Sequence, residues 1–349
     1  MRFIILFLWP VLLAAGEYDA KGEARLNRGY YLEYKEMPAK KATYTLTVKT
    51  SGYSANQWNV FFSKPPSYEF QKNVKTEFNY QPKTQKDKND DSRSLYRLEL
   101  TGDNIKSSFH VKATYRFTPV ARKLTKKRPR KDHKTKPLTK EEISRYLKAT
   151  KTVNHDSKEF RSWLKATGLI RKKKEGQIEF ARRAFQHIAN NFTYLYTYKM
   201  NRECNNVRIQ KKSDCGGLSI LLISTLRANG IPARLICGRW AKSAEKGKRI
   251  GEVAYFQQHV KCEFYAEGVG WVPNDMSAGV SAKRNKEFFF GMDRGIFFTA
   301  HFDCDFKYDT KLFGVKEGVF LQSCYFWTRG SGKYKKESSV MDWKVTVTK

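Results

Sequence analysis

Acidic residues are scarce in this chain: 34 Asp and Glu stand against 67 Lys and Arg over 349 residues, a net charge of +33. Such an imbalance bears on solubility and partners, not on fold. Long apolar runs are lacking as well. The one strongly apolar stretch, Phe3 to Leu13, falls short of the ~20 residues that a membrane-crossing helix needs. No two of the six cysteines stand two residues apart, which removes the usual ligand spacing of a structural zinc site. There is no acidic cluster of the calcium-binding kind and no internal repeat. The sequence therefore predicts no metal and no cofactor.

What is present is a globular composition, 40% hydrophobic and 14% aromatic, on a chain long enough for two cores. Met1-Arg2, the apolar run and then Ala14-Ala15-Gly16 form the pattern of a signal peptide over residues 1–16. No cysteine follows that run, which disfavours a lipoprotein anchor. The expected location is outside the cytoplasm, periplasmic or secreted. Export makes nucleic acid an unexpected partner despite the charge, and points to anionic surfaces instead: a membrane, a cell-surface polymer or an acidic protein. An oxidising compartment also permits disulfides. If one of the six cysteines stays a free thiol, five remain, so at least one more is unpaired. Cys304 with Cys324 is a candidate bridge.

Residues 30–117 alternate apolar and polar positions in β-branched and aromatic runs, such as Tyr44 to Thr50, Trp58 to Phe62, Tyr96 to Leu100 and Phe109 to Phe117. Turn-rich stretches divide them, the pattern of an antiparallel β-sandwich. From Arg122 to Lys140, ten residues are Lys or Arg against a single Asp. That run repels itself and has little to bury, so it reads as an exposed linker. Helices follow. Thr139 with Glu142 makes a capping box, Asp156 or Ser157 opens a second helix, and Ile178, Ala181, Phe185 and Ile188 mark the apolar face of a third. A fourth runs from Asp214 to Ala228 with Leu218, Leu221, Leu222, Thr225 and Leu226 inward, and Asn229-Gly230 stops it. Strands are expected over Ala233 to Trp240, Val253 to Tyr265, Trp271-Val272 and three C-terminal runs: Phe297 to Phe306, Val319 to Trp327 and Trp343 to Val347.

Cys215 falls at the start of the fourth helix, between Ser213-Asp214 and Gly216-Gly217. A helix N-terminus carries about half a positive charge on its free N–H groups. That potential favours thiolate, and the same N–H groups can hold an oxyanion. The two glycines leave room for a substrate backbone to come close. The other five cysteines read as strand or loop residues. A nucleophilic thiol needs a base and a group that orients the base. His259, inside a strand, and Asp275, at the end of Gly270-Trp-Val-Pro-Asn-Asp275, supply those types on segments that adjacent antiparallel strands would bring to the helix end. His133 and His155 lie in charged loops without such a setting.

Taken in order, three blocks resemble the transglutaminase-like core of bacterial exported proteins. They are Asp214-Cys215 with Leu226-Arg-Ala-Asn-Gly-Ile-Pro-Ala-Arg-Leu-Ile-Cys-Gly238, then His259 with Glu263 and Tyr265, then Gly270-Trp271-Val-Pro-Asn-Asp275-Met-Ser. The resemblance implies an α+β fold, a papain-like transglutaminase core preceded by an N-terminal antiparallel β-sandwich. The boundaries become 17–121 for the sandwich, 122–138 for the basic linker, 139–300 for the core and 301–349 for a C-terminal β extension. It assigns Cys215 as nucleophile, His259 as base and Asp275 as its orienting acid. Lys261 stands where many members carry Trp, a departure that bears on substrate approach. The backbone N–H of Cys215 is one expected oxyanion donor; the Gln210 side chain is a candidate for the second, with Asn206 a weaker rival.

These residues imply attack on an amide or peptide carbonyl, a thioester on Cys215, and completion by water or by a primary amine, with hydrolysis favoured over cross-linking. Two other readings remain open in the sequence. Asp214-Cys215-Gly216-Gly217-Leu218 also resembles the opening of cell-wall peptidoglycan endopeptidases. The other is an inert module whose basic surface binds an anionic polymer, against which the retention of all three catalytic residue types argues.

Overall fold

The computed structural model describes residues 18–348 except 51, 103–104, 106–107, 131–134, 198, 244–248, 251–252, 255–256 and 334–338. The expected signal peptide lies outside the described residues. Among them, no helix is long and apolar enough to cross a membrane.

The N-terminal half is built from two antiparallel sheets. One is ordered Tyr31–Glu36, Ser108–Thr125, Lys40–Lys49 and Ser339–Val347, with Gln71–Phe78 also paired to the long Ser108–Thr125 strand. The other runs Cys324–Gly332, Tyr53–Ser63, Ser94–Thr101 and Pro82–Lys86. Every second residue of Lys40–Lys49 from Ala42 to Val48 is buried, as the alternating pattern requires. Tyr44, Leu46, Trp58, Val111 and Trp343 fill one cluster. Two strands of the expected C-terminal extension thus belong to the sandwich: Ser339–Val347 lies beside Lys40–Lys49, and Cys324–Gly332 beside Tyr53–Ser63.

The expected basic linker begins too early. The strand Ser108–Thr125 carries on through its first residues, pairing Arg122 with Tyr34 and Lys123 with Glu33. Arg122 is buried because its charge has partners remote in sequence. Its Nη1 donates to Glu263 at 2.6 Å and to the Trp271 carbonyl at 3.0 Å, and its guanidinium lies 3.8 Å from the centre of the Phe70 ring. Charge counting along the chain does not see such pairing.

The core is a four-stranded antiparallel sheet, ordered Gly270–Asn274, Gln258–Ala266, Ala233–Trp240, Phe297–Phe302. The strand expected from Val253 to Tyr265 is two pieces, Val253–Ala254 and Gln258–Ala266, with Gln257 in the left-handed region at φ 63°. Helix Cys215–Ala228 packs on this sheet, against helices Gln177–Asn191, Cys204–Gln210 and Met276–Ser281. Instead of one apolar face, it is buried on all sides from Gly216 to Arg227, which is why Leu, Ile, Ser and Thr occupy every side of it. Thr139 and Glu142 form the expected capping box of helix Lys140–Leu147, and Ser157 caps Lys158–Ala166.

All six cysteines are free thiols, so Cys304 and Cys324 are not bridged. They belong to different clusters. Cys304 packs with the helix-on-sheet core and Cys324 with the sandwich interior, where its sulfur lies 3.5 Å from the Tyr44 hydroxyl.

Candidate active site

Cys215 is the first residue of its helix, and Asp214 is the N-cap whose Oδ1 accepts the Gly217 amide at 3.1 Å. That cap absorbs one of the orphan N–H groups of the first turn and holds the helix start in register. Asp214 is itself gripped by Arg202: Nε lies 3.0 Å from each carboxylate oxygen, and Nη2 2.6 Å from Oδ2. Sequence reasoning missed Arg202, which precedes Cys215 by an irregular loop and helix and belongs to no motif.

Of the six cysteines, Cys215 is the only one not buried. Burial pushes the Cys204 and Cys324 thiols up to about 11 and raises those of Cys237, Cys262 and Cys304 as well, all away from thiolate. Cys204 was expected in a loop or strand, yet it too begins a helix, Cys204–Gln210. Burial rather than helix position separates it from Cys215.

His259 is the second residue of strand Gln258–Ala266 and lies opposite Gly238. Its Nε2 meets Asp275 Oδ2 at 2.9 Å. The Cys215 side chain lies near enough to the same ring to act on its charge. The three side chains expected to converge are therefore brought together. Burial alone would lower the imidazole pKa, but the Asp275 carboxylate and Cys215 outweigh it, so the group is raised to about 10. Burial opposes ionisation of Asp275, and His259 outweighs that in turn, holding the carboxyl below its ordinary value. The indole of Trp240 lies on the imidazole, ring centres 4.6 Å apart and planes 21° from parallel. It shields one face of the His259–Asp275 pair from water. Nothing in the sequence singled out Trp240, because the register of two strands creates the stack.

Other expectations are revised. Gly216 and Gly217 serve packing, not substrate approach. A Cβ on Gly216 would sit 2.6 Å from the Phe320 ring, and one on Gly217 2.0 Å from Ser213 Oγ. Lys261 does not meet substrate: it is buried, donates to Asp293 at 2.6 Å, and lies 4.5 Å from the centre of the Phe297 ring. Gln210 ends its helix exposed to solvent, and Asn206 turns its amide to the Asn201 carbonyl at 3.0 Å. Among the described residues neither side chain is hydrogen-bonded to Cys215 or His259. The free N–H groups at the start of a helix are of the kind that can hold an oxyanion.

A cleft of about 1190 Å³ opens between the Asp87–Arg93 turn of the sandwich, helix Lys140–Leu147 and the loop Met200–Glu203; Cys215, His259 and Asp275 are not in its lining. Arg202 lines it and so connects the cleft to Asp214.

Comparison with known proteins bears on the fold. Residues 165–276 match the transglutaminase-like superfamily, and the chain carries a transglutaminase-like core of the papain-like α+β kind. A candidate cysteine protease from Cytophaga hutchinsonii shares the fold across 90% of this chain and 100% of its own, with a TM-score of 0.51 and 15% identity. The periplasmic domain of TgpA from Pseudomonas aeruginosa aligns over 76% of this chain and 94% of its own, at a TM-score of 0.37 and 13% identity. An uncharacterised protein of Haemophilus influenzae is 35% identical over 88 residues, which is 22% of this chain and 24% of that protein. The chain thus spans about a quarter of that relative's length.

Proposed function

We propose that the protein is a thiol-dependent acyl hydrolase or transferase acting on amide or peptide carbonyls, with hydrolysis the favoured outcome. The observation that carries this reading is the linked set Cys215, His259 and Asp275 at a helix N-terminus. In the proposed cycle the Cys215 sulfur attacks the carbonyl carbon and the helix N–H groups hold the oxyanion. His259, kept protonated by Asp275, gives its proton to the departing nitrogen as the C–N bond breaks. Water then attacks the thioester with His259 taking its proton, which releases the acid and the free thiol. A primary amine in place of water would give transfer.

A cleft reaches Arg202, the partner of Asp214, from the side of the Asp87–Arg93 turn. Its lining holds eight acidic residues (Asp87, Asp90, Asp91, Glu141, Glu203, Asp303, Asp305, Glu317) and eight basic ones (Lys88, Arg93, Lys140, Arg145, Lys148, Lys151, Arg202, Arg227). The chain's positive excess does not extend into it, so the cleft suits a peptide of mixed charge. The excess elsewhere suits attachment to an anionic cell-surface polymer or membrane outside the cytoplasm.

Incubating the purified protein with a library of unstructured peptides, with and without a lysine-like amine, tests the reading by mass spectrometry. New peptide termini, or glutamine deamidation, that disappear in Cys215→Ala would support it. Products formed equally by Cys215→Ala would overturn it. Release of stem peptides from peptidoglycan, with no action on the library, would favour a cell-wall endopeptidase instead.

A further inference from the structure

The strand that carries the base is fastened from the far end of the chain. His259 sits one residue inside its strand, after Gln257 in a left-handed conformation. Strand ends are the places where pairing opens first, so this position by itself would leave the imidazole poorly fixed. The segment Val319–Ser323 closes it. Gln322 Nε2 donates to the His259 carbonyl at 2.6 Å and to the Gly238 carbonyl at 3.1 Å. Those two residues face each other in the register of strands Gln258–Ala266 and Ala233–Trp240, so one amide spans both backbones at the level of the base. Two carbonyl acceptors require the NH₂ end of the amide, which fixes its orientation.

The segment is held firmly enough to serve as a clamp. Arg239 Nε donates to the Gln322 carbonyl at 2.8 Å, and Gln258 Nε2 to Ser323 Oγ at 3.2 Å. Leu321 is buried and its amide donates to His301 Nε2 at 3.0 Å. Phe320 rests on Gly216, next to the nucleophile. One short segment thus touches the start of the nucleophile helix and the backbone of the base.

We propose that Gln322 is a positioning residue that holds His259 at the distance from Cys215 the reaction requires. It touches no reacting atom; it acts through the backbone from which the imidazole projects. Misplacing a reacting group by about 1 Å can cost on the order of a hundredfold in rate. This inference rests on the function proposed above.

The test compares the full-length protein with Gln322→Ala and Gln322→Glu, the latter keeping the side-chain size but removing the donor. Iodoacetamide alkylation of Cys215 is followed from pH 5 to 10, and turnover is measured on a peptide the wild-type protein cleaves, per titratable thiol. Expected are a fall in kcat of about ten- to a hundredfold in both variants, little change in KM, and an alkylation profile displaced to higher pH. Should the alanine variant not fold, the glutamate variant decides alone. A merely structural role would lower the folded fraction while leaving kcat per thiol and the alkylation profile in place, and that result would overturn the proposal. So would a glutamate variant equal to wild type. If the wild-type Cys215 itself alkylates no faster than a free cysteine, the proposed function fails, whatever the variants do.

Discussion

Asp275 meets His259 with one oxygen and closes a helix with the other. Oδ2 lies 2.9 Å from Nε2 of the imidazole, while Oδ1 accepts the Ala278 amide at 3.1 Å and the Ser277 hydroxyl at 3.2 Å. The cap fixes where the carboxylate points, and the carboxylate fixes the imidazole.

The two roles separate by mutation. Asparagine is as good an N-cap as aspartate but carries no charge. Asp275→Asn should keep helix Met276–Ser281 capped yet lower turnover by up to about 10⁴, the loss that the same change causes in a Ser-His-Asp triad. Asp275→Ala should lose activity similarly and a further ~1 kcal/mol of stability, the usual value of a cap. Turnover and urea denaturation of the two variants side by side check this; equal stabilities would refute the capping role.

The same pair sets a pH dependence of stability. His259 is raised in the folded protein from about 6.5 to about 10, so its contribution is complete below pH ~6.5 and is lost as the pH climbs through about 10. Asp275, held low by His259 against the effect of burial, contributes above its ordinary range and loses that contribution only as the pH falls through its depressed value. The urea midpoint of wild type minus that of His259→Gln should therefore shrink steadily between pH 6.5 and 10. A difference that grew over that interval would contradict the assignment.

Glu263 is fully buried between two guanidinium groups, Arg122 at 2.6 Å and Arg234 at 2.6 Å. Burial disfavours its ionisation, and the two arginines more than offset this, holding the carboxyl below its usual range. Glu263→Gln should destabilise the protein by about 3–5 kcal/mol, because it leaves buried cations without their counter-charge. Equilibrium denaturation measures this directly, and a loss under 1 kcal/mol would show that the arginines find other partners.

Gly217→Ala would press a methyl onto Ser213 Oγ and Val207 at the start of helix Cys215–Ala228. Overpacking of this kind costs about 1–3 kcal/mol. The shift should also move Cys215, so alkylation of that thiol should slow along with the fall in melting temperature. Unchanged alkylation would mean the strain is relieved away from the helix start.

Much of this was written along the chain. Period-two alternation gave the sandwich strands, the Thr139–Glu142 pair and Ser157 announced helix starts, and Cys215, His259 and Asp275 stood in three recognisable blocks. Local pattern suffices there because pleat, turn and cap are short-range geometry. Arg122, placed by its neighbours in a solvated charge run, is buried because Glu263 waits for it 141 positions away. Lys261 points into the interior because Asp293 neutralises it. Cys304 and Cys324 are unbridged because packing puts them in separate cores. Trp240 on His259 and Gln322 beneath it exist only through register and chain return. Sequence by itself named the candidate groups for the chemistry. Tertiary structure alone decided which of them meet, because contact between distant residues depends on how sheets and helices stack, and no local periodicity encodes that.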